Sequence, residues 1–201
     1  MAPEYIERFT PTERTAHWVH AVAFVVLLGT GLILYLPSLS QAVGRRPLLK
    51  DIHVYTAVGW IVALVLVVVL GDRRRLRQTV RELETFDTDD VLWLKRYPRP
   101  QGRFNAGQKV NAALSAAFAV LFAVSGGLLW LGERDHRFQF ASTILLHDWL
   151  TLFSLVLFVG HLYLAVIAPA TRHSLRGMTV GTVRRDWAMR HHAKWARDQQ
   201  Q

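Results

Sequence analysis

Four long stretches of this chain carry almost no charge, and few folds accommodate that. No Asp, Glu, Lys or Arg occurs between Arg14 and Arg45, between Asp51 and Asp72, or between Lys109 and Glu133. From Phe138 to Thr171 the only one is Asp148. A helix needs roughly 20 apolar residues to cross a bilayer core of about 30 Å, so each stretch is long enough to span. The expectation is an all-α integral membrane protein, a bundle of four transmembrane helices over about 11–36, 47–70, 106–131 and 142–168, with a basic tail over 169–201. The first stretch is too long for the apolar core of a signal peptide and lacks a small-residue cleavage site, so it reads as a retained helix.

The formal charge of +9 would suit nucleic acid, but its layout suits a membrane. Four spans put both termini on one side. That side then holds Arg8, Arg14, the loop from Arg73 to Lys109 and the tail from Arg172, which together carry 19 of the 24 Lys and Arg residues. Such asymmetry places both termini in the cytoplasm by the positive-inside rule, and no nucleic-acid partner is expected. The absence of cysteine excludes disulfides, thiolate zinc sites and an iron–sulfur cluster of the chain's own.

Local signals mark the helix starts. Thr10, Pro11 and Glu13 form a capping box with proline at the first helical position, and Asn105 with Gln108 forms another before the third span. Pro37 and Pro169 follow the first and fourth spans, and Pro47 opens the second. The connection from Gly71 to Gln108 reads as a long polar loop, with an apolar stretch at Val91–Leu94 suited to the membrane interface. The tail reads as a basic segment resting on the inner leaflet or a partner.

Nine histidines are present, and five of them, His17, His20, His53, His147 and His161, lie in the spans. Ionisable residues there are costly enough that function is the default reading. Depth sorts them into two levels: His17 and His161 in the inner half, His53 and His147 in the outer half. The 14-residue gap between His147 and His161 is about 21 Å along a helix and returns to within about 40° of the same face. Two side-chain ligands per level fall short of the four that a structural zinc wants, but they fill both axial positions of a haem iron, which favours electron transfer over oxygen activation. His20 shares a helix face with His17, and helical phase does not separate the two. His191 and His192 sit in a charged tail and read as solvent or interface groups; His136 and His173 have no depth partner.

Several motifs resemble a known family. They are Arg8-Phe9, Glu13-Arg14, His17-Trp18, Thr30-Gly31-Leu32, His53 with Gly59, Trp93-Leu94, GRFNAGQK from Gly102 to Lys109, His161 to Ala165, Gly177-Met178, Gly181-Thr182-Val183, and the WA…HH…W tail of Trp187, Ala188, His191, His192 and Trp195. In this the chain resembles the gamma subunit of respiratory formate dehydrogenase, a di-haem cytochrome b membrane anchor, over nearly its whole length and as one domain over 1–201. The resemblance implies His17, His53, His147 and His161 as axial ligands of two haems b, paired as depth pairs them, and selects His17 over His20. It departs after His147, where Asp148-Trp149-Leu150 stands in place of smaller apolar residues.

The resemblance further implies an electron-transfer subunit of the bacterial cytoplasmic (inner) membrane. An iron–sulfur beta subunit, fed by a molybdenum or tungsten catalytic alpha subunit that oxidises formate, would deliver electrons outside, and menaquinone or ubiquinone would receive them at the cytoplasmic side. The heterotrimer could further oligomerise. Asn105, Gly107 and Gln108 are the quinone candidates, against the plainer reading of Asn105 and Gln108 as a helix cap. Arg8, Arg14, Lys109 and Arg172 suit either haem propionates or positive-inside charge, and Gly126-Gly127 suits close helix packing. The rival readings are a cytochrome b subunit of a hydrogenase or sulfur-compound reductase, a stand-alone di-haem quinone oxidoreductase, and a transporter or metal-binding membrane protein.

Overall fold

The apolar stretches are helices in the computed structural model, which describes residues 3–199. In chain order the elements are β1 (Tyr5–Glu7), α1 (Pro11–Tyr35), α2 (Pro37–Val43), α3 (Arg46–Leu70), α4 (Arg73–Glu84), α5 (Thr88–Leu94), α6 (Ala106–Gly132), α7 (Ala141–Leu162), α8 (Leu175–Thr179), β2 (Thr182–Arg184), α9 (Arg185–His191) and α10 (Ala193–Asp198). Four candidate spans result: α1, α3, α6, and Ala141–Ile167. The fourth changes pitch at its end, where Tyr163–Ile167 forms a wider turn in which Ala168 N–H donates five residues back to the Tyr163 carbonyl at 2.8 Å.

Both expected capping boxes form. Thr10 N–H donates to Glu13 Oε2 at 2.7 Å, and Asn105 N–H and Gln108 N–H exchange bonds with each other's side-chain oxygens at 3.0 and 2.9 Å. A cap of this kind contributes about 1 kcal/mol. Pro37 does not end helical structure but opens α2, which stops at Gly44 in the left-handed region at φ 65°. The polar loop is also partly helical. Asp72 caps α4 by accepting from Arg75 N–H, and Asp87 with Asp90 forms a reciprocal box at the start of α5. A small antiparallel ribbon, absent from the sequence reading, pairs β1 with β2 through Tyr5–Arg184, Ile6–Val183 and Glu7–Thr182.

The chain divides into two compact units. One contains Ala16–Val67 and Ser115–Val159, the greater part of each of the four spans together with α2 and the α6–α7 connection, gathered as a helix bundle. Its outward side chains are apolar and exposed, among them Val58, Val62, Val120, Val156 and Val159. Apart from Leu150, what it buries is small or hydroxylated: Ala23, Thr30, Ser125, Thr143 and Ser154. Lipid gives large apolar residues no reason to turn inward, so close approach through small residues holds such bundles.

The other unit comprises the described residues of Met1–Thr15, Val68–Leu114 and Gly160–Gln201. Its core is Val183, Trp187, Ala188, Trp195 and Ala196, with Ile6 of the ribbon packed against it. Gly181, at φ 94°, receives Arg8 N–H and Phe9 N–H on its carbonyl. A Cβ there would stand 2.9 Å from the Phe9 carbonyl oxygen, so this turn needs glycine.

A paired-histidine site in the helix bundle

His53 on α3 and His147 on α7 come together in the bundle unit, their ring centroids 6.3 Å apart and their planes at 65°. Each ring is held through Nδ1. His53 Nδ1 lies 2.8 Å from Thr30 Oγ1, and His147 Nδ1 lies 2.8 Å from Ser125 Oγ. Both hydroxyls also donate back to their own helices, Thr30 to the Val26 carbonyl and Ser125 to the Leu121 carbonyl, each at 2.7 Å. A hydroxyl has one proton. With it directed to the helix carbonyl, the hydroxyl oxygen accepts, so Nδ1 of each histidine carries the hydrogen. Nε2 of each ring then holds the lone pair.

This donor set fits a haem iron. Two imidazoles that ligate one metal from opposite sides, at about 2 Å each, place their ring centroids about 6 Å apart. Ligating histidines ordinarily donate their other N–H to a neighbouring acceptor. Among the described residues no group of three or more His, Cys, Asp or Glu converges as a metal site. Haem brings four nitrogens of its own and needs only two from the protein. Phe122 packs edge-on against His147 at 5.1 Å between centroids. Gly31 and Gly126 face the rings: a Cβ at either would meet Cε1 of His53 at 3.4 Å or of His147 at 3.5 Å. Gly126 thus lies beside a histidine ring, a role the packing expectation did not include.

The remaining spanning histidines have distinct surroundings. His20 lies 5.6 Å from the Trp60 ring and stacks on Phe24. The His17 ring meets the edge of Trp18, and His161 occupies the last turn of α7. Asp148 is half-buried on α7.

In the other unit, the GRFNAGQK run is a structural knot. Arg103 is paired with Glu13 at 2.7 Å and Glu82 at 2.6 Å, and it also donates to the Arg8 carbonyl and Thr79 hydroxyl. Lys109 pairs with Asp90 at 2.5 Å and donates to the Thr85 carbonyl. Arg8 donates to the Arg103 carbonyl, and Arg14 to the Met178 and Thr179 carbonyls. Three of the four cations offered to haem propionates therefore have protein partners. Gly107 is covered by an aromatic ring of the chain itself, since a Cβ there would touch Trp93 Cη2 at 3.4 Å.

His192, expected as a solvent or interface group, is buried within the chain. It is 2% exposed, with Nδ1 2.8 Å from the Gly102 carbonyl and Nε2 3.0 Å from Arg8 Nη2. A carbonyl only accepts and a guanidinium only donates, so this ring is neutral with its hydrogen on Nδ1. Burial, then the Arg8 charge, hold its pKa down to about 3. Burial and the nearby Arg103 lower Arg8 to about 9. His191 instead stacks on Trp187 at 4.9 Å.

The family pattern of prokaryotic cytochrome b561 matches residues 8–181. The chain is 26% identical to the cytochrome b556(fdo) subunit of formate dehydrogenase from Escherichia coli K12, covering 96% of this chain and 92% of that one. It is 24% identical to the cytochrome b556 subunit of formate dehydrogenase from Haemophilus influenzae, covering 96% and 83%. The cytochrome b556(Fdn) subunit of the nitrate-inducible formate dehydrogenase from Escherichia coli K12 is also 24% identical, covering 92% and 88%.

Proposed function

This chain belongs to the prokaryotic cytochrome b561 family, and from that premise we propose that it is the membrane cytochrome b subunit of a formate dehydrogenase. Membership implies haem b, and four spans make a multi-pass membrane protein. The observation that carries the reading is the His53–His147 pair, whose ring centroids stand 6.3 Å apart with each Nδ1 engaged by a hydroxyl. The names of the relatives support formate dehydrogenase as the complex.

The proposal assigns two haems b, one to His53 with His147 and one to His17 with His161, the second pair resting on their matched depth in the sequence. When bound, haem b supplies a one-electron redox centre. The distribution of Lys and Arg supports both termini in the cytoplasm of a bacterial inner membrane. His53 and His147 then form the outer level, facing an iron–sulfur beta subunit and a molybdenum or tungsten alpha subunit that carries the formate site. The complex could further assemble as an oligomer of that heterotrimer.

Asn105, Gly107 and Gln108 are proposed to bind the quinone, menaquinone or ubiquinone, at the cytoplasmic side. Their capping box engages the side-chain oxygens of Asn105 and Gln108. Each amide is thereby fixed with its NH2 group as the end able to donate to a quinone carbonyl, and the Trp93 indole forms a wall beside Gly107.

The test is formate-dependent reduction in anaerobic native membranes, with the chain purified alongside. Formate should reduce its haem, and an iron–sulfur protein should copurify. A haem that dithionite reduces and formate does not, in a preparation without an iron–sulfur partner, would reject this assignment.

A further inference from the structure

The two halves of the bundle unit handle their histidines alike. Thr30 precedes Gly31 on α1 and bonds His53, 23 residues on; Ser125 precedes Gly126 on α6 and bonds His147, 22 residues on. Each hydroxyl residue is buried, at 8% and 1% exposure. Each directs its proton to the carbonyl four residues back, and each following glycine lies against Cε1 of the ring. A hydroxyl–glycine pair and a histidine thus recur once in α1–α3 and once in α6–α7.

We propose that Thr30 and Ser125 are positioning residues for the haem between His53 and His147, fixing both rings in the Nδ1–H tautomer so that Nε2 ligates. This rests on the reading of those histidines as haem ligands. A hydroxyl whose proton is committed to its own helix can only accept from the ring. The alternative tautomer would set the Nδ1 lone pair against an oxygen with no hydrogen to give. Donation from Nδ1–H also raises the basicity of the ligand, which favours ferric over ferrous iron. Because both rings are held this way, losing either hydroxyl should move the same haem, in the same direction.

The experiment uses the full chain purified with its bound haem, comparing wild type with Thr30→Val, Thr30→Ser, Ser125→Ala and His53→Ala. Optical redox titration gives the potential of each haem, and electron paramagnetic resonance of the oxidised protein gives the ferric signature. His53→Ala should abolish one titrating component, which identifies the haem in question. Thr30→Val and Ser125→Ala should each shift that component's ferric-to-ferrous ratio about tenfold towards ferrous at a fixed potential, equivalent to about 59 mV upward for one electron. The other component should stay in place, and Thr30→Ser should restore the wild-type value. An unchanged potential and ferric signature in both hydroxyl-free variants, with His53→Ala still losing one haem, overturns the positioning role and leaves the haem reading standing. Retention of every component in His53→Ala overturns the ligand reading and the proposal with it. Should Thr30→Val fail to accumulate, Ser125→Ala decides alone, on the opposite ring.

Discussion

Helix α3, most of which lies in the bundle unit, contributes no buried residue across its whole length, whereas in the other unit Arg8, Asp90, Gln101 and His192 are each at most 3% exposed. The same chain has been organised by two solvents. Where lipid surrounds the helices, large apolar side chains face outward, and specificity inside rests on a few small or hydroxylated residues and on the histidines. Where water is the reference, charges and amides are drawn inward and paired: Arg103 with Glu13 and Glu82, Lys109 with Asp90, Arg8 with His192. In the proposed reading the bundle keeps its polar groups for a cofactor, whereas the other unit uses them to hold itself together. A polar residue removed from each region should therefore fail differently.

The largest contrast should come from His53→Ala. It should remove one haem completely, leave the other, and leave the Arg103 network folded, as extracted haem and limited proteolysis would read. Arg103→Met should do the reverse. It strands buried Glu13, whose side chain is 4% exposed, and removal of one partner from a buried pair costs about 3–5 kcal/mol. Denaturation in detergent should show that loss while the His53–His147 haem spectrum persists.

A smaller effect should appear with pH. His192 is held near 3 in the folded chain and returns to its ordinary 6.5 on unfolding. Below 6.5 the unfolded state binds the extra proton, so stability is full above that value and falls as pH drops towards 3. The slope is about 1.4 kcal/mol per pH unit, or about 2 kcal/mol between pH 6.5 and 5. Arg8, at about 9, stays charged throughout that window and adds no slope. His173 and His191, also lowered, act in the same direction. His192→Ala isolates the largest share: its denaturation midpoint should start lower and vary less between pH 7 and 5. Smallest of all should be Lys50→Ala, since its 2.6 Å pair with Glu133 is about half exposed on both sides. Such pairs contribute about 0–1 kcal/mol, and a larger loss of thermal stability would mean that this end of the bundle is organised like the other unit.

The four spans were legible because charge-free length is a one-dimensional property, and the capping boxes at Thr10 and Asn105 because they are local. The pairing of His53 with His147 was legible from depth, and the structure brings those two rings together. What could not be read depends on contacts distant in sequence or on hydrogen-bond direction. The β1–β2 ribbon joins residues about 180 apart in sequence, and nothing in Tyr5-Ile6-Glu7 announces a strand. His192 looked like a tail residue because its partners, Arg8 and Gly102, are far away along the chain. The helices α4 and α5 were hidden in a polar loop. Their Asp72 and Asp87 caps were nevertheless visible signals, with Asp90 completing the second box. Thr30 and Ser125 look like ordinary helix residues until their protons are followed to Val26 and Leu121.

If the proposed function holds, the spanning histidines bind haem in pairs. Haem extracted from the purified chain and counted per protein, in wild type and in the His53→Ala and His17→Ala variants, tests it most directly. Two b-type haems per chain are expected, falling to one in each variant, with a different spectral component lost each time. Two haems retained in His53→Ala, or none in the wild-type chain, would contradict it.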